Sequence, residues 1–411
     1  LELSIYEVKI DKLVYGGDGI GKLRDGRTVF VPFTLPNETV RIELVDEKRN
    51  HVRGQLVEIL KPSPQRVTPR CTHFGVCGGC HYQHIPYPFQ LKLKEEIVAD
   101  QFSRVGGVLR PPVKPAQAAA QPWNYRNTIQ FHLSPTGKLG YQKANTNDVV
   151  EIKECFLPQP ELNELWPNLD FESIPELDRV VLRQGAGNEI LITLESHGQE
   201  TPELNVETPV SVVHISHGQK VVLAGDDYSV MEVKGRPFVV SAGAFFQVNI
   251  PQAEALVDHV LSLLPLSPEA LVMDICCGVG LFSAFIAPRV RRLIGIELSE
   301  VSCEDFAENL DEFENVELYM GPAEDVLPLI KERPDAVVVD PPRSGLEKGA
   351  LDALTKIRPP TLVYVSCDPA TLARDTKRLL GSGYQLKQIT PFDLFPQTYH
   401  VECVAKFTCK A

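Results

Sequence analysis

Positive charge is what this chain is short of: 41 Lys and Arg stand against 54 Asp and Glu, a formal net charge of −13. That balance excludes a surface coated everywhere in basic residues, yet leaves room for one local basic groove. Also missing is any apolar run long enough to cross a bilayer. The amino end, Leu1-Glu2-Leu3-Ser4-Ile5-Tyr6-Glu7-Val8, is charged and alternating, unlike a signal peptide. There is no internal repeat and no low-complexity tract. With 43% hydrophobic residues over 411 positions, two or three folded domains are expected rather than one core. The expected setting is the cytoplasm, with no membrane partner and a monomeric state.

Ten cysteines are present, but not as a disulfide framework. One group is compact, Cys71-Thr72-His73-Phe74-Gly75-Val76-Cys77-Gly78-Gly79-Cys80, and most others are scattered through apolar, strand-like runs. This suits a reducing compartment and a metal site. The glycines let a tight loop aim three sulfurs inward, and Cys155, after a strand-like segment, is the natural fourth ligand. Spacing alone leaves structural zinc and an iron–sulfur cluster equally open, since both accept four thiolates.

From Leu3 to about Lys61, short strand-like runs separated by glycine turns predict a small β-barrel. Its basic residues, among them Lys9, Lys12, Arg41, Lys48, Arg49 and Arg53, roughly balance its acids, the polarity expected of an RNA-contacting barrel or of a plain solvated surface. Pro62, Pro64 and Pro69 mark a linker. The spacing of Leu91, Leu93, Ile97, Val98, Phe102 and Val105 predicts a helix over Phe89 to Val105. A sheet-rich stretch follows, from about Pro122 to Pro237. After Phe238, apolar strands alternate with helices, which predicts an α/β, doubly wound sheet of the Rossmann-like kind.

Three motifs follow apolar runs in this last region, the order expected when several strand ends build one pocket. In Asp274-Ile275-Cys276-Cys277-Gly278-Val279-Gly280 the glycines permit a tight turn beside a ligand, and Glu297, at the end of the next strand, can accept hydrogen bonds from ribose hydroxyls. The same turn would suit a nicotinamide dinucleotide or simple packing. Asp340-Pro341-Pro342-Arg343 fixes a carboxylate at a strand end, which a dehydrogenase does not require and which shifts the balance to S-adenosylmethionine. Cys367, in Val365-Ser366-Cys367-Asp368-Pro369, is the sharpest feature. A thiolate that adds to carbon 6 of uracil turns carbon 5 into a nucleophile, and the carbon 5 proton must later leave to a general base. Glu402, at the start of the last strand-like run, is the best candidate for that base, with His400 a weaker rival. Gln247, in Phe245-Phe246-Gln247-Val248-Asn249, is a candidate cofactor or base contact among aromatic residues.

Taken together, these residues resemble the RNA uridine-5-methyltransferases, especially the iron–sulfur branch that methylates 23S ribosomal RNA. The likeness spans nearly the whole chain, from a TRAM-like barrel and the cysteine cluster through Tyr125-Arg126-Asn127 and the Gln247 segment to the Cys367 and Glu402 motifs. It implies a 4Fe–4S cluster on Cys71, Cys77, Cys80 and Cys155. It further implies S-adenosylmethionine held by Gln247, the loop of Cys276, Gly278 and Gly280, Glu297 and Asp340, with Cys367 as nucleophile and Glu402 as base. The domain division it suggests is a barrel over 1–61, an iron–sulfur domain over 62–90 and 118–237, and a methyltransferase domain over 91–117 and 238–411. The implied partner is RNA, a 23S uridine first and the T-loop uridine of tRNA as the alternative, with the target base flipped out of its stack.

Two positions depart from the family pattern. Cys276 stands where an aromatic residue is usual, and Asp368 where asparagine commonly follows the nucleophile, adding a charge that raises the thiol pKa unless hydrogen bonds compensate. Rival readings find less support. The Thr-Cys and Pro-Cys contexts of RNA cytosine-5 methyltransferases are absent, as is a flavin signature for a redox protein. A non-catalytic RNA-binding protein would not need Cys367, Glu402 and the cofactor motifs.

Overall fold

The structure, a computed structural model, describes residues 5–144, 146–169, 176–198 and 209–409. The barrel expected from the amino-terminal alternation is present: β1 (Ile5–Leu13), β2 (Gly19–Lys22), β3 (Thr28–Val31), β4 (Thr39–Glu47) and β5 (His51–Lys61) close in the order β1-β2-β3-β5-β4. Alternate residues point inward, so Val8, Ile10, Val29, Val31, Val40, Ile42 and Val52 form its core. Helix α1 (Tyr87–Arg104) follows the cysteine loop.

The sheet-rich stretch comprises β6 (Thr128–Leu133), β7 (Leu139–Gln142), β8 (Val149–Glu151), helix α2 (Pro160–Leu165), β9 (Leu177–Gln184), β10 (Ile190–Ser196), β11 (Ser211–Ser216) and β12 (Gln219–Ala224). Its strands form one sheet, β12-β11-β10-β9-β6-β7-β8, in which β10 and β11 are parallel and the other neighbours antiparallel. A hairpin of β13 (Tyr228–Val233) and β14 (Arg236–Ser241) leads into the last region.

That region is the doubly wound sheet foreseen from the strand and helix alternation. It contains α3 (Ile250–Leu263), β15 (Leu271–Ile275), α4 (Leu281–Ile286), β16 (Arg292–Glu297), α5 (Glu300–Asn309), β17 (Val316–Met320), α6 (Ala323–Val326) and β18 (Ala336–Val339). It continues with α7 (Lys348–Ile357), β19 (Thr361–Ser366), α8 (Pro369–Gly381), β20 (Tyr384–Phe392) and β21 (Glu402–Cys409). The strand order is β17-β16-β15-β18-β19-β21-β20; the first five are parallel, and β21 inserts antiparallel between β19 and β20. Both faces are covered, which is why β18 reads as an unbroken apolar run: Ala336 and Val338 enter the core under α3, α4 and α5, and Val337 and Val339 the core under α1, α7 and α8. Each such side chain contributes roughly 1.5–3 kcal/mol on burial. Among the described residues, no helix is long and apolar enough to cross a membrane.

Helix α1 differs from its sequence pattern in one respect that matters. Its buried stripe is Gln90, Leu93, Lys94, Ile97, Val98 and Phe102, so two polar residues face inward, while Val105 is exposed. The reason lies across the interface, in the connection between β20 and β21. Lys94 Nζ meets Asp393 at 2.6 Å, both side chains fully buried, and also donates to the Phe395 carbonyl. Gln90 Nε2 donates to Gln397 Oε1 at 2.9 Å, and the Gln397 amide donates back to Gln90 Oε1 at 3.0 Å. The next carbonyls are satisfied too: Leu394 by Asn249, Pro396 by the Tyr125 hydroxyl, and Gln397 by the His81 and Tyr82 amides. The loop leading into β21 is therefore held by four separate chain segments.

Replacing Lys94 with Met leaves the Asp393 carboxylate buried without its counter-charge. Urea unfolding is expected to show a loss of about 3–5 kcal/mol; a change within the ordinary surface range of about 0.5 kcal/mol would refute the anchoring role of this pair.

Candidate functional site

The glycine loop opens directly after β15. Cys276 (φ 60°), Gly278 (φ 54°) and Gly280 (φ 93°) all adopt left-handed backbone, and a Cβ on Gly280 would sit 2.4 Å from Leu310 Cδ1, so glycine is required there on two counts. Gly278 faces open space. Glu297, ending β16, gathers three backbone amides: Gly278 at 2.9 Å on one oxygen, Leu298 and Ser299 at 2.8 Å on the other. Beneath the loop, Asp274 is fully buried; one of its oxygens accepts the Ser283 hydroxyl at 2.7 Å and the other has no partner. Burial pushes this carboxyl up to about 7.

Asp340 follows β18, and its amide donates to the Ile275 carbonyl at 3.1 Å, which ties it to the glycine loop. Cys367 follows β19. The antiparallel register pairs Ser366 with Cys403, so continuing it by one residue sets Cys367 opposite Glu402. On its other side Glu402 pairs with Phe392 of β20. Asp340, Cys367 and Glu402 thus meet at one end of the sheet.

Their electrostatics confirm that they share one environment. Burial and then the Asp340 charge raise Glu402 well above the usual carboxylate range, with Arg343 opposing; burial and Glu297 raise Asp340. The Cys367 thiol is pushed up to about 12, by burial first and then by Glu402 and Asp340; Arg343 pulls it back, and Asp368 adds the smallest increment. The charge of Asp368 is spent largely on fixed donors: one oxygen caps α8 through the Ala370 and Thr371 amides at 2.8 and 2.9 Å, and the other accepts the Tyr15 hydroxyl at 2.9 Å. His400, weighed above as a rival base, is pushed down to about 3 by burial and so is neutral.

The cysteines expected to bind metal lie in a separate pocket. Cys71, Cys77, Cys80 and Cys155 line one cavity of about 260 Å³, together with Arg126, Tyr141 and His400. Two chain segments are stitched together to form it. The Thr72 amide and hydroxyl donate to Glu154 at 3.0 and 2.8 Å, the Lys153 amide donates to His73 Nε2 at 3.1 Å, and the Gly78 amide to the Gln142 carbonyl at 2.9 Å. Donors reach the sulfurs: backbone amides of His73 and Phe74 at Cys71, of Gly79 at Cys77 and of Leu157 at Cys155, and the side chains of Gln83 at Cys80 and Tyr141 at Cys155. Burial outweighs them, pushing Cys77 up to about 11 and Cys80 up to about 12. Among the described residues, no three Cys, His, Asp or Glu side chains converge closely enough to hold a single metal ion.

Of the residues singled out in the sequence, the structure brings the Cys276 loop, Glu297, Asp340, Cys367 and Glu402 to one end of one sheet. Gln247 lies on the segment before α3 and is buried, its carbonyl accepting from Asn127 Nδ2 at 3.0 Å. Sequence reasoning missed Arg343 as the cation facing Cys367 and Glu402, although it completes a motif already noted, and Tyr15 in the first barrel turn. It also left Arg126 and Tyr141 without a role. Only their distance along the chain from the cysteines concealed them.

Comparison with known proteins agrees with this arrangement. The tRNA (uracil-5-)-methyltransferase family matches residues 195–408, and a TRAM domain matches residues 2–57. An uncharacterized RNA methyltransferase of Halalkalibacterium halodurans is 32% identical, with 99% of this chain and 97% of that protein aligned. One of Thermosynechococcus vestitus is 34% identical over 98% of this chain and 97% of its own length. The crystal structure of Pyrococcus abyssi tRNA (uracil-54, C5)-methyltransferase in complex with S-adenosyl-L-homocysteine superposes with a TM-score of 0.74 at 24% identity, covering 98% of this chain and 99% of that one, which establishes a shared fold. With a family match over its carboxy-terminal half and relatives above 30% identity along nearly its full length, the chain belongs to the tRNA (uracil-5-)-methyltransferase family of RNA methyltransferases.

Proposed function

We propose that this protein methylates carbon 5 of a uridine in RNA, 23S rRNA being the first substrate, with Cys367 as nucleophile and Glu402 as base. The observation that carries the reading is the antiparallel register of β19 and β21, which pairs Ser366 with Cys403 and so brings the next residues, Cys367 and Glu402, to the same place. S-adenosylmethionine, when bound, supplies an electrophilic methyl group. The open space at Gly278 and the carboxylates of Glu297 and Asp340 at neighbouring strand ends fit such a ligand, and the resemblance adds Gln247, on the segment before α3, as a further contact. Cys367 gives its proton to solvent, and its thiolate adds to carbon 6 of the flipped base; the carbon 5–carbon 6 π bond breaks and its electron pair moves to carbon 5 and the carbon 4 carbonyl as an enolate. Once carbon 5 carries the methyl group, Glu402 accepts its proton; the carbon 5–carbon 6 double bond re-forms and the sulfur leaves. Burial, and then the Asp340 charge, raise the pKa of Glu402, which strengthens its carboxylate as a proton acceptor.

A 4Fe–4S cluster on Cys71, Cys77, Cys80 and Cys155 belongs to the same reading. Burial raises the pKa of all four thiols that line this cavity, and a cationic centre is what would hold them as thiolates. The cavity they line measures about 260 Å³ and is walled also by Arg126 and Tyr141; it is the resemblance that favours a 4Fe–4S cluster over zinc there. The T-loop uridine of tRNA is the second reading, favoured by the fold shared with the Pyrococcus enzyme named for that substrate.

Mapping 5-methyluridine in 23S rRNA and tRNA from matched cells is expected to show loss at one ribosomal site with Cys367→Ala. Loss from tRNA alone would move the substrate to the second reading, and no loss would overturn the enzyme assignment. With Glu402→Gln the base is gone after methyl transfer, so a covalent protein–RNA adduct is expected to persist on a denaturing gel; free RNA with full product would remove Glu402 from this role. Because Cys367 and Glu402 both titrate above their usual ranges, single-turnover methylation is expected to rise with pH from neutral to mildly alkaline solution. A rate that falls over that interval contradicts the assignment. Anaerobically purified protein is expected to carry equimolar iron and acid-labile sulfide, both lost in Cys155→Ser; stoichiometric zinc without sulfide would replace the cluster.

A further inference from the structure

The amino-terminal barrel reaches the Cys367 loop through the side chain of Tyr15. The turn after β1 is closed by the Val14 amide on the Asp18 carbonyl at 3.0 Å and the Gly17 amide on the Val14 carbonyl at 3.1 Å, with Gly16 and Gly17 in left-handed backbone. It delivers Tyr15 edge-on to Tyr399, ring centroids 5.7 Å apart, and its hydroxyl 2.9 Å from Asp368 Oδ2. Burial, and then the Asp368 charge, hold Tyr15 protonated, so it is always a donor.

This contact matters because of what surrounds the sulfur. Cys367 is faced by Glu402 of β21, by Asp340 after β18 and by Asp368 at the start of α8, and opposed by Arg343; Cys403 and Tyr15 are its other titratable neighbours. Three carboxylates against one guanidinium oppose thiolate formation. Asp368 is the acid adjacent in the chain, and it stands where the resemblance leads one to expect an uncharged asparagine. Its Oδ1 is occupied by two helix amides, and Tyr15 is the one side chain, among the described residues, that donates to Oδ2.

We propose that Tyr15, carried on the barrel, is a positioning residue for Cys367: its hydroxyl fixes the Asp368 carboxylate in one orientation and draws its charge away from the sulfur. The proposal rests on the assignment of Cys367 as nucleophile. It gives the barrel a part in the reaction beyond any hold on RNA, because a side chain from the barrel's first turn bears on the readiness of the thiol.

The test is a four-protein cycle on the full chain: wild type, Tyr15→Phe, Asp368→Asn and the double variant. Alkylation of Cys367 by iodoacetamide is followed by peptide mass across about pH 6–10. Tyr15→Phe is expected to slow alkylation about three- to tenfold at fixed pH and to move the profile to higher pH, one pKa unit corresponding to a factor of about ten. Asp368→Asn keeps an oxygen to cap α8 and removes the charge, so it is expected to speed the reaction. In that background Tyr15→Phe is expected to change the rate by less than about twofold. A wild-type profile in Tyr15→Phe, or equal slowing in both backgrounds, overturns the proposal; equal slowing would mean that Tyr15 only holds the barrel in place. Alkylation requires neither RNA nor methyl donor, so it reads this proposal separately. Methylation surviving in Cys367→Ala, by contrast, removes the nucleophile assignment whatever the alkylation cycle gives.

Discussion

The fully buried pair of Lys94 and Asp393 fixes the segment on which the rest of the site depends. A lone charge at that depth would cost several kcal/mol, so neither residue tolerates loss of the other. Their meeting joins helix α1 to the connection between β20 and β21, whose far end is Glu402. Around it the carbonyls from Leu394 to Gln397 are taken up by Asn249, Lys94, Tyr125 and the two amides that follow Cys80. One loop is thereby tied to the segment before α3, to α1, to the Tyr125-Arg126-Asn127 stretch and to the cysteine loop. This convergence explains why the cysteine loop, far from Cys367 and Glu402 in sequence, lies on the same framework in space.

The same crowding sets the chemistry. Burial raises Asp340, Glu402 and Cys367 alike; the Asp340 charge adds to the shift of Glu402, both carboxylates add to that of Cys367, and Arg343 opposes the last two. Like charges in one pocket cannot all ionise without cost, and the result is a set of groups that hold their protons to higher pH than they would in water. A pocket built only for stability would avoid this arrangement. The buried, half-satisfied Asp274 beneath the glycine loop belongs with it, as a carboxyl whose second oxygen awaits a partner.

The two departures from the family pattern have different standing in the structure. Cys276, where an aromatic residue is usual, occupies a left-handed position with its amide held by the Ile296 carbonyl at 2.8 Å, and its side chain packs against the core on the α1 side. Asp368 is integrated more fully. It caps α8 as asparagine would, and its extra charge is met by a hydroxyl from another part of the chain. A residue that looks adverse in isolation is accommodated by a contact no local reading reveals.

Much of the fold was legible from periodicity. Alternation through Val8 and Ile10 marked the barrel, the unbroken run Ala336-Val337-Val338-Val339 marked a buried strand, and Glu297, Asp340, Cys367 and Glu402 lie at or next to the strand ends where their motifs put them. Helix α1 was placed within two residues at its start, but its buried face was misjudged: Gln90 and Lys94 lie inward and Val105 does not, because their partners lie some 300 residues away. The sequence by itself determined which groups carry reactive sulfur, carboxylate and amide, and on which kind of element each sits. Only the tertiary structure decided that β21 inserts antiparallel between β19 and β20, setting Glu402 opposite Cys367, and that Cys155, Tyr15 and Arg343 reach their partners. The physical reason is that a strand's period of two fixes the face of each side chain, whereas its neighbour in the sheet is chosen by packing between segments distant along the chain.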